Sequence, residues 1–253
     1  MNGALDGRVG LVTGAGQGVG RGIALALAEA GACVALAGRS LPKLQAVAGE
    51  IAARGGQALA LACDVKDAAA LAQTVARTVE RFGGLHILVN NAQEVPLGPL
   101  ARVSDASFAA GWESGPLATF RLMKLAHPHL KKEGGCIVNL ASPAARRWDM
   151  SGYGAYAAVK EAIRMLTRAA ACEWGRDGIR TNAILPLANS PAMDGWTQAR
   201  PQEAAAFLAT VPLARVGDCE RDIGRFVAVL CSDDCAYVNG QSIALDGGQA
   251  FLG

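Results

Sequence analysis

A chain of 253 residues, half of them hydrophobic and fewer than a fifth charged, carries enough apolar surface for one large α/β domain and too much to stay disordered. A formal charge of +2, with no block of Lys or Arg, gives no basis for nucleic acid or an acidic membrane surface as partner. The apolar stretch 23–37 is broken by Glu29 and Gly31 and is too short to cross a bilayer, and no basic-then-apolar leader opens the chain, so a cytoplasmic protein without a membrane segment is expected.

Short apolar runs alternate with longer amphipathic ones from the start. Residues 9–12 read as strand, 19–30 as helix, 33–37 as strand and 42–54 as helix. The rhythm continues with a strand at 57–62, a helix at 68–81, a strand at 87–89, a long helical stretch at 104–130 and a strand at 136–140. A helix at 155–170 follows, then a strand at 181–185, an irregular region at 186–212 with a helical piece at 202–210, a helix near 221–230 and a strand at 242–245. Strands that are almost continuously hydrophobic imply a parallel sheet covered by helices on both faces, so a single Rossmann-like, doubly wound α/β domain is expected. The loop 186–212 is expected to cover a substrate. His127 and His129, beside Lys131 and Lys132, are read as the polar end of a helix and not as metal ligands. The seven scattered cysteines lack Cys-x-x-Cys spacing and are expected to be buried thiols.

Immediately after the first strand stands Thr13-Gly-Ala-Gly-Gln-Gly-Val-Gly20, opening onto a helix. Glycines there let backbone amides approach a pyrophosphate, and the helix N-terminus adds partial positive charge. Gly14, Gln17, Gly18, Val19 and Gly20 are the expected cofactor contacts. A fold of this kind that prefers NAD(H) carries an acidic residue at the end of the second strand. This chain instead has Arg39 followed by Ser40, which suits a 2′-phosphate and favours NADP(H), with NAD(H) as the alternative and a merely solvated Arg39 as the plain reading. Gln17 counts slightly against NADP(H), because a basic residue in the glycine loop would have added a second phosphate partner.

Tyr156 and Lys160 stand four residues apart on a helix, which puts a phenol and an ammonium on one face. A free tyrosine titrates near 10, and an adjacent cation favours its phenolate, so Lys160 is expected to lower the Tyr156 pKa and make it an acid/base at a carbonyl or alcohol. The spacing alone occurs on many helices.

Taken together, these residues resemble the short-chain dehydrogenases/reductases over essentially the whole chain. The resemblance is carried by Thr13-Gly14 with Gly18 and Gly20, Asp64-Val65, Asn90-Asn91-Ala92, Ser142, the Tyr156/Lys160 pair, Arg180-x-Asn182-Ala183 leading to Pro186, and Asp246-Gly247-Gly248. It implies that Asp64 and Val65 contact the adenine, and that Asn90 and Ala92 line the adenosine ribose and the cleft floor. Pro186 opens the nicotinamide loop. Lys160 is implied to hold the nicotinamide ribose, and Ser142 the substrate oxygen, although a serine after a strand is also common in turns. Tyr153 is the competing phenol and is expected in the substrate pocket, with Trp148, Asp149, Met150, Met193 and Trp196 suggesting an apolar or cyclic carbonyl. Tetramers or dimers are common in such proteins, so a homo-oligomer is expected.

Three positions depart from the family pattern. Gln93 stands where glycine is usual, Gly115 where the long helix ordinarily carries an asparagine that helps hold a water leading to the lysine, and Leu187 where glycine follows Pro186. Gly115-Pro116 is expected to kink the helix and removes an amide donor. The expected function is an NADP(H)-dependent oxidoreductase interconverting a carbonyl and an alcohol. The alternative is a dinucleotide-binding protein with impaired catalysis, in a sensor or assembly role.

Overall fold

The computed structural model describes residues 3–146 and 151–250. Seven parallel strands form one sheet in the order β3-β2-β1-β4-β5-β6-β7. In the chain they are β1 (Val9–Thr13), β2 (Cys33–Gly38), β3 (Ala58–Ala62), β4 (Ile87–Asn90), β5 (Gly135–Leu140), β6 (Ile179–Pro186) and β7 (Ser242–Leu245). Every residue of β1 and β4 is buried, as strands covered on both faces require.

On one face lie α1 (Gly18–Glu29), α2 (Leu41–Ala53) and α9 (Arg225–Cys231), whose Ile23, Leu27, Val47 and Val227 pack into a common core. On the other lie α3 (Ala68–Phe82), α5 (Ala118–Leu130) and α6 (Gly154–Trp174), contributing Leu71, Leu122, Met123 and Ala170. Local chemistry sets the ends of α3: the Asp67 carboxylate accepts from Ala69 N and Ala70 N, and Gly83 closes the helix at φ +84°. Strand order reverses between β1 and β4, both neighbours of each other but wound in opposite directions. The connections that leave the carboxyl ends of β1 and β4 therefore run to opposite faces of the sheet and leave a crevice for a ligand between them.

Three regions differ from the sequence expectation. The stretch 104–130 is not one helix with a simple kink: α4 (Asp105–Trp112) runs into a single wide turn at Glu113–Leu117 before α5 begins. Pro116 has no N–H to continue the ladder, and the wide turn absorbs the misfit, with Ala118 N bonding back to Glu113 O and Gly115 O. The loop 186–212 contains two helices, α7 (Pro191–Ala199) and α8 (Pro201–Leu208). The Ser190 side chain accepts from Met193 N and Pro191 takes the first helical position, which together start α7. A second wide turn, Cys219–Gly224, precedes α9 and lies hard against α1, where a Cβ on Gly22 would run into the Cys219 carbonyl. The cysteines also divide more finely than expected: Cys63, Cys136 and Cys231 are buried, Cys172 is exposed and the other three are half-buried. Among the described residues no helix is long and apolar enough to cross a membrane.

Candidate active site and dinucleotide cleft

A cleft of about 610 Å³ opens along the carboxyl ends of the strands. Its floor starts at the glycine loop. Gly14 at φ +65° and Gly18 at φ +55° sit in the left-handed region, which only glycine adopts without strain. Asn91 clamps the loop from the neighbouring strand end, its Nδ2 donating to Thr13 O at 2.8 Å and Gly14 O at 3.3 Å. Thr13 Oγ1 in turn accepts from Asn91 N at 3.0 Å and Ala92 N at 3.1 Å. A Cβ on Gly20 would collide with the Asn91 amide and the Gly14 carbonyl, so this glycine serves close packing and does not line the cleft. Helix α1 has neither a side-chain cap nor an acidic residue in its first turn, leaving free N–H groups and an uncompensated dipole facing the cleft. A pyrophosphate supplies both missing partners, and the residues present fit a dinucleotide.

At the adenosine end, Arg39 stands at the tip of β2 with 69% of its side chain exposed, and its guanidinium meets Glu94 Oε1 at 3.3 Å. The same Glu94 oxygen pairs with Lys66 Nζ at 2.9 Å. Lys43, on the first turn of α2, reaches into the glycine loop and donates to Gln17 Oε1 at 2.6 Å. Sequence reading missed Lys43, because it lies four residues beyond Arg39 and only the fold carries α2 back over the loop. Asp64 and Val65 line the cleft here, and the Asp64 carboxylate accepts from Lys66 N at 3.0 Å.

At the reaction end, Ser142 follows β5 while Tyr156 and Lys160 come from α6, and all three line the cleft. The Ser142 hydroxyl lies close enough to the Tyr156 phenol to act on its titration. Ser142 Oγ also accepts from Ala144 N at 3.2 Å, so the serine has the turn role as well. Lys160 is 3% exposed and donates from Nζ to the Leu140 carbonyl at 2.7 Å; its ammonium sits 5.5 Å from the centre of the Tyr156 ring.

The expected lowering of Tyr156 by Lys160 is not what this arrangement produces. Burial pushes the Tyr156 phenol up to about 12, opposed by the nearby Ser142 hydroxyl. Burial likewise brings the Lys160 amine down to about 7, so near neutrality it carries only part of a charge and is aimed at a carbonyl, not at the phenolic oxygen. The phenol is therefore held protonated, the form that donates to a carbonyl oxygen.

The cleft also shows where the family-implied residues go. Gln17, Gly18, Val19, Ala92 and Pro186 line it with Gly14. Asn90 does not: its side chain is turned into the sheet, Nδ2 donating to Asn139 Oδ1 at 2.8 Å. The cleft wall at that height is Asn91, Ala92 and Gln93. Leu187 has its backbone tied on both sides, its N–H to Leu245 O at 3.0 Å and its carbonyl accepting from Gly217 N at 3.1 Å. Ser190 lies over the cradle, 3.7 Å from where a Cβ of Gly18 would stand. Arg180 and Asn182 hold the chain after α9, with the Asn182 amide donating to Val238 O at 2.9 Å and accepting from Gln241 N at 3.0 Å. Tyr153 is exposed beside Tyr156, ring centres 6.4 Å apart and edge-on. Trp148, Asp149 and Met150 lie outside the described residues. Trp196 packs edge-on against Phe207 at 5.8 Å, joining α7 to α8.

The chain matches the family described as enoyl-(acyl carrier protein) reductase over residues 14–250. It is 37% identical to a 12α-hydroxysteroid dehydrogenase from Clostridium sp., an alignment covering 97% of this chain and 98% of that protein. A 7α-hydroxysteroid dehydrogenase solved with NADH and 7-oxo glycochenodeoxycholic acid superposes with a TM-score of 0.90 at 31% identity, covering 96% of this chain and 94% of that one. A Beutenbergia cavernae protein solved with NADP at low occupancy superposes with a TM-score of 0.90 at 34% identity, covering 97% of both chains.

Proposed function

Given that the chain belongs to the short-chain dehydrogenases/reductases, oxidoreductases that use a nicotinamide dinucleotide, we propose that it reduces the ketone of a bulky, largely apolar alicyclic substrate at the expense of NADP(H). The observation that carries this reading is the meeting of Ser142, Tyr156 and Lys160 at the end of β5, in one cleft with the uncapped N-terminus of α1. The bound cofactor supplies the hydride. The substrate oxygen is taken up by the Ser142 and Tyr156 hydroxyls, and the neutral phenol donates its proton as charge develops on that oxygen. Burial leaves the Lys160 amine able to gain and release a proton near neutrality, which suits it to reprotonate the tyrosine and to hold ribose hydroxyls.

The preference for NADP(H) is supported by two cations at the adenosine end, Arg39 and Lys43, with no carboxylate at the tip of β2. Lys43 is the second phosphate partner that Gln17 fails to be. The bulk and apolarity of the substrate are supported by the exposed Val95, Leu97, Leu100 and Tyr153 around the reaction end, and by two relatives named for hydroxysteroids. The segment 186–212, folded as α7 and α8 over the cradle, serves as the substrate cover. Exposed Phe120 and Met165 on α5 and α6 support pairing of these helices in a homo-oligomer.

The test is consumption of NADPH and NADH with steroid ketones against small linear ketones, for the wild type and Tyr156→Phe. Turnover of the cyclic ketones that disappears in Tyr156→Phe supports the reading; a mutant rate equal to wild type overturns it. Cofactor binding without hydride exchange on any carbonyl would favour the binding-protein alternative.

A further inference from the structure

The residue at 93 and the residue at 115 form one matched pair. A Cβ on Gly115 would stand 2.8 Å from Gln93 Nε2 and 2.9 Å from Gln93 Cδ, so the glutamine amide fills the space a side chain at 115 would take. Its orientation is not arbitrary. Nε2 donates to Glu94 O at 2.8 Å and to Gly111 O at 2.8 Å, and turning the amide over would face its oxygen to two carbonyls. Oε1 is thereby fixed toward the wide turn at Glu113–Leu117, buried and with no protein partner. The turn packs on α6, which carries Lys160, and Gln93, Ser114 and Lys160 line the same cleft.

One buried carbonyl oxygen facing the turn thus lacks a donor, while the Lys160 amine has one protein acceptor among the described residues, the Leu140 carbonyl. Buried polar groups are rarely left unpaired, and ordered water is the usual partner where several converge. We propose that Gln93 is a positioning residue of the reaction, its Oε1 anchoring an ordered water that links the Lys160 amine to the wide turn and carries protons toward the Tyr156–Lys160 pair. The amide thereby takes over a task that Gly115 leaves undone.

The inference rests on the reading of the chain as a carbonyl reductase, and two kinds of measurement separate the two. Gln93→Met keeps the volume and removes the acceptor. It is expected to lower kcat about tenfold, with NADPH binding followed separately by calorimetry. In the ligand-free protein, NMR titration of the Lys160 ε position should show its midpoint falling by about one unit, a tenfold loss of proton affinity. Gly115→Asn alone collides with Gln93 and lowers the melting temperature, whereas Gln93→Gly with Gly115→Asn should restore both stability and, to within about threefold, kcat. Gln93→Met with wild-type kcat and an unmoved Lys160 titration would overturn the inference while leaving the functional reading intact. If the wild type reduces no carbonyl, the functional reading fails, and the Lys160 titration and the stability coupling of 93 with 115 still decide the place of Gln93.

Discussion

The two ends of the sheet carry clefts of similar size, about 610 Å³ at the carboxyl ends of the strands and about 520 Å³ at the amino ends. Both contain cations and hydrogen-bonding side chains, yet they differ in how those groups are engaged. At the amino end, His86 Nδ1 accepts from Val9 N at 2.9 Å and Nε2 faces Glu133 at 3.3 Å, while Arg180 donates to Val238 O and Ser232 O. These groups tie chain segments together. At the carboxyl end the helix amides of α1 have no side-chain cap, Arg39 and Lys43 line the cleft while paired with Glu94 and Gln17, and burial pushes Tyr156 up to about 12 and Lys160 down to about 7. Volume does not distinguish a site from a crevice; polar capacity left without a protein partner does.

The comparison breaks most directly at Tyr156. Replacing it by Phe removes the proposed proton donor, and kcat/KM for carbonyl reduction should fall by about a thousandfold while NADPH still binds, checked by stopped-flow turnover and calorimetry. Arg39→Ala should raise the KM for NADPH about tenfold or more and leave that for NADH nearly unchanged, since a charge-assisted bond to the 2′-phosphate is lost. Equal effects on both cofactors would remove the case for NADP(H).

Lys160 offers a test through stability. Its folded pKa lies near 7 and its ordinary value is 10.5, so between those limits the unfolded chain binds the extra proton and this residue makes stability rise with pH. Lys160→Met should remove a slope of up to about 1.4 kcal/mol per pH unit in that window, read as the difference between wild-type and variant urea unfolding. Tyr156 acts in the opposite sense: its phenol, ordinarily at 10.0 and here near 12, is held protonated by the fold, so its contribution is lost as pH climbs through that interval. A smaller change is expected at Glu94, which holds the Arg39 guanidinium that the proposed reading assigns to a 2′-phosphate; on that reading Glu94→Gln should tighten NADPH severalfold in a fluorescence titration. At the amino end, Arg8 meets Asp233 only at 4.0 Å on the surface, and Arg8→Ala should change stability by less than about 0.5 kcal/mol and leave turnover unaltered.

Much of this was legible beforehand, because local chemistry carries it. The strands read from their continuous apolar runs, and α3 from Asp67 and its amphipathic period. Helix α7 was not legible: Gly195 and a short, mixed sequence hide it, and only the Ser190 cap with Pro191 marks its start. Likewise Gly115-Pro116 reads as a kink on paper but folds as a wide turn, since the helix continues on both sides and the ladder is repaired by bonds that skip a residue.

The amino-acid sequence by itself set out the parallel sheet and the glycine cradle, which follow from periodicity and short-range spacing, while Ser142, Tyr156 and Lys160 were singled out by the Tyr156/Lys160 spacing together with the family resemblance. Tertiary structure alone decided three things: that Asn90 faces the sheet and Asn91 the glycine loop, that Lys43 reaches Gln17, and that Gln93 fills the place left open at Gly115. It also reversed the expected direction for Tyr156. Sequence spacing shows which charge is near, but desolvation depends on everything packed around the group, and at this phenol burial outweighs the lowering by the nearby Ser142 hydroxyl.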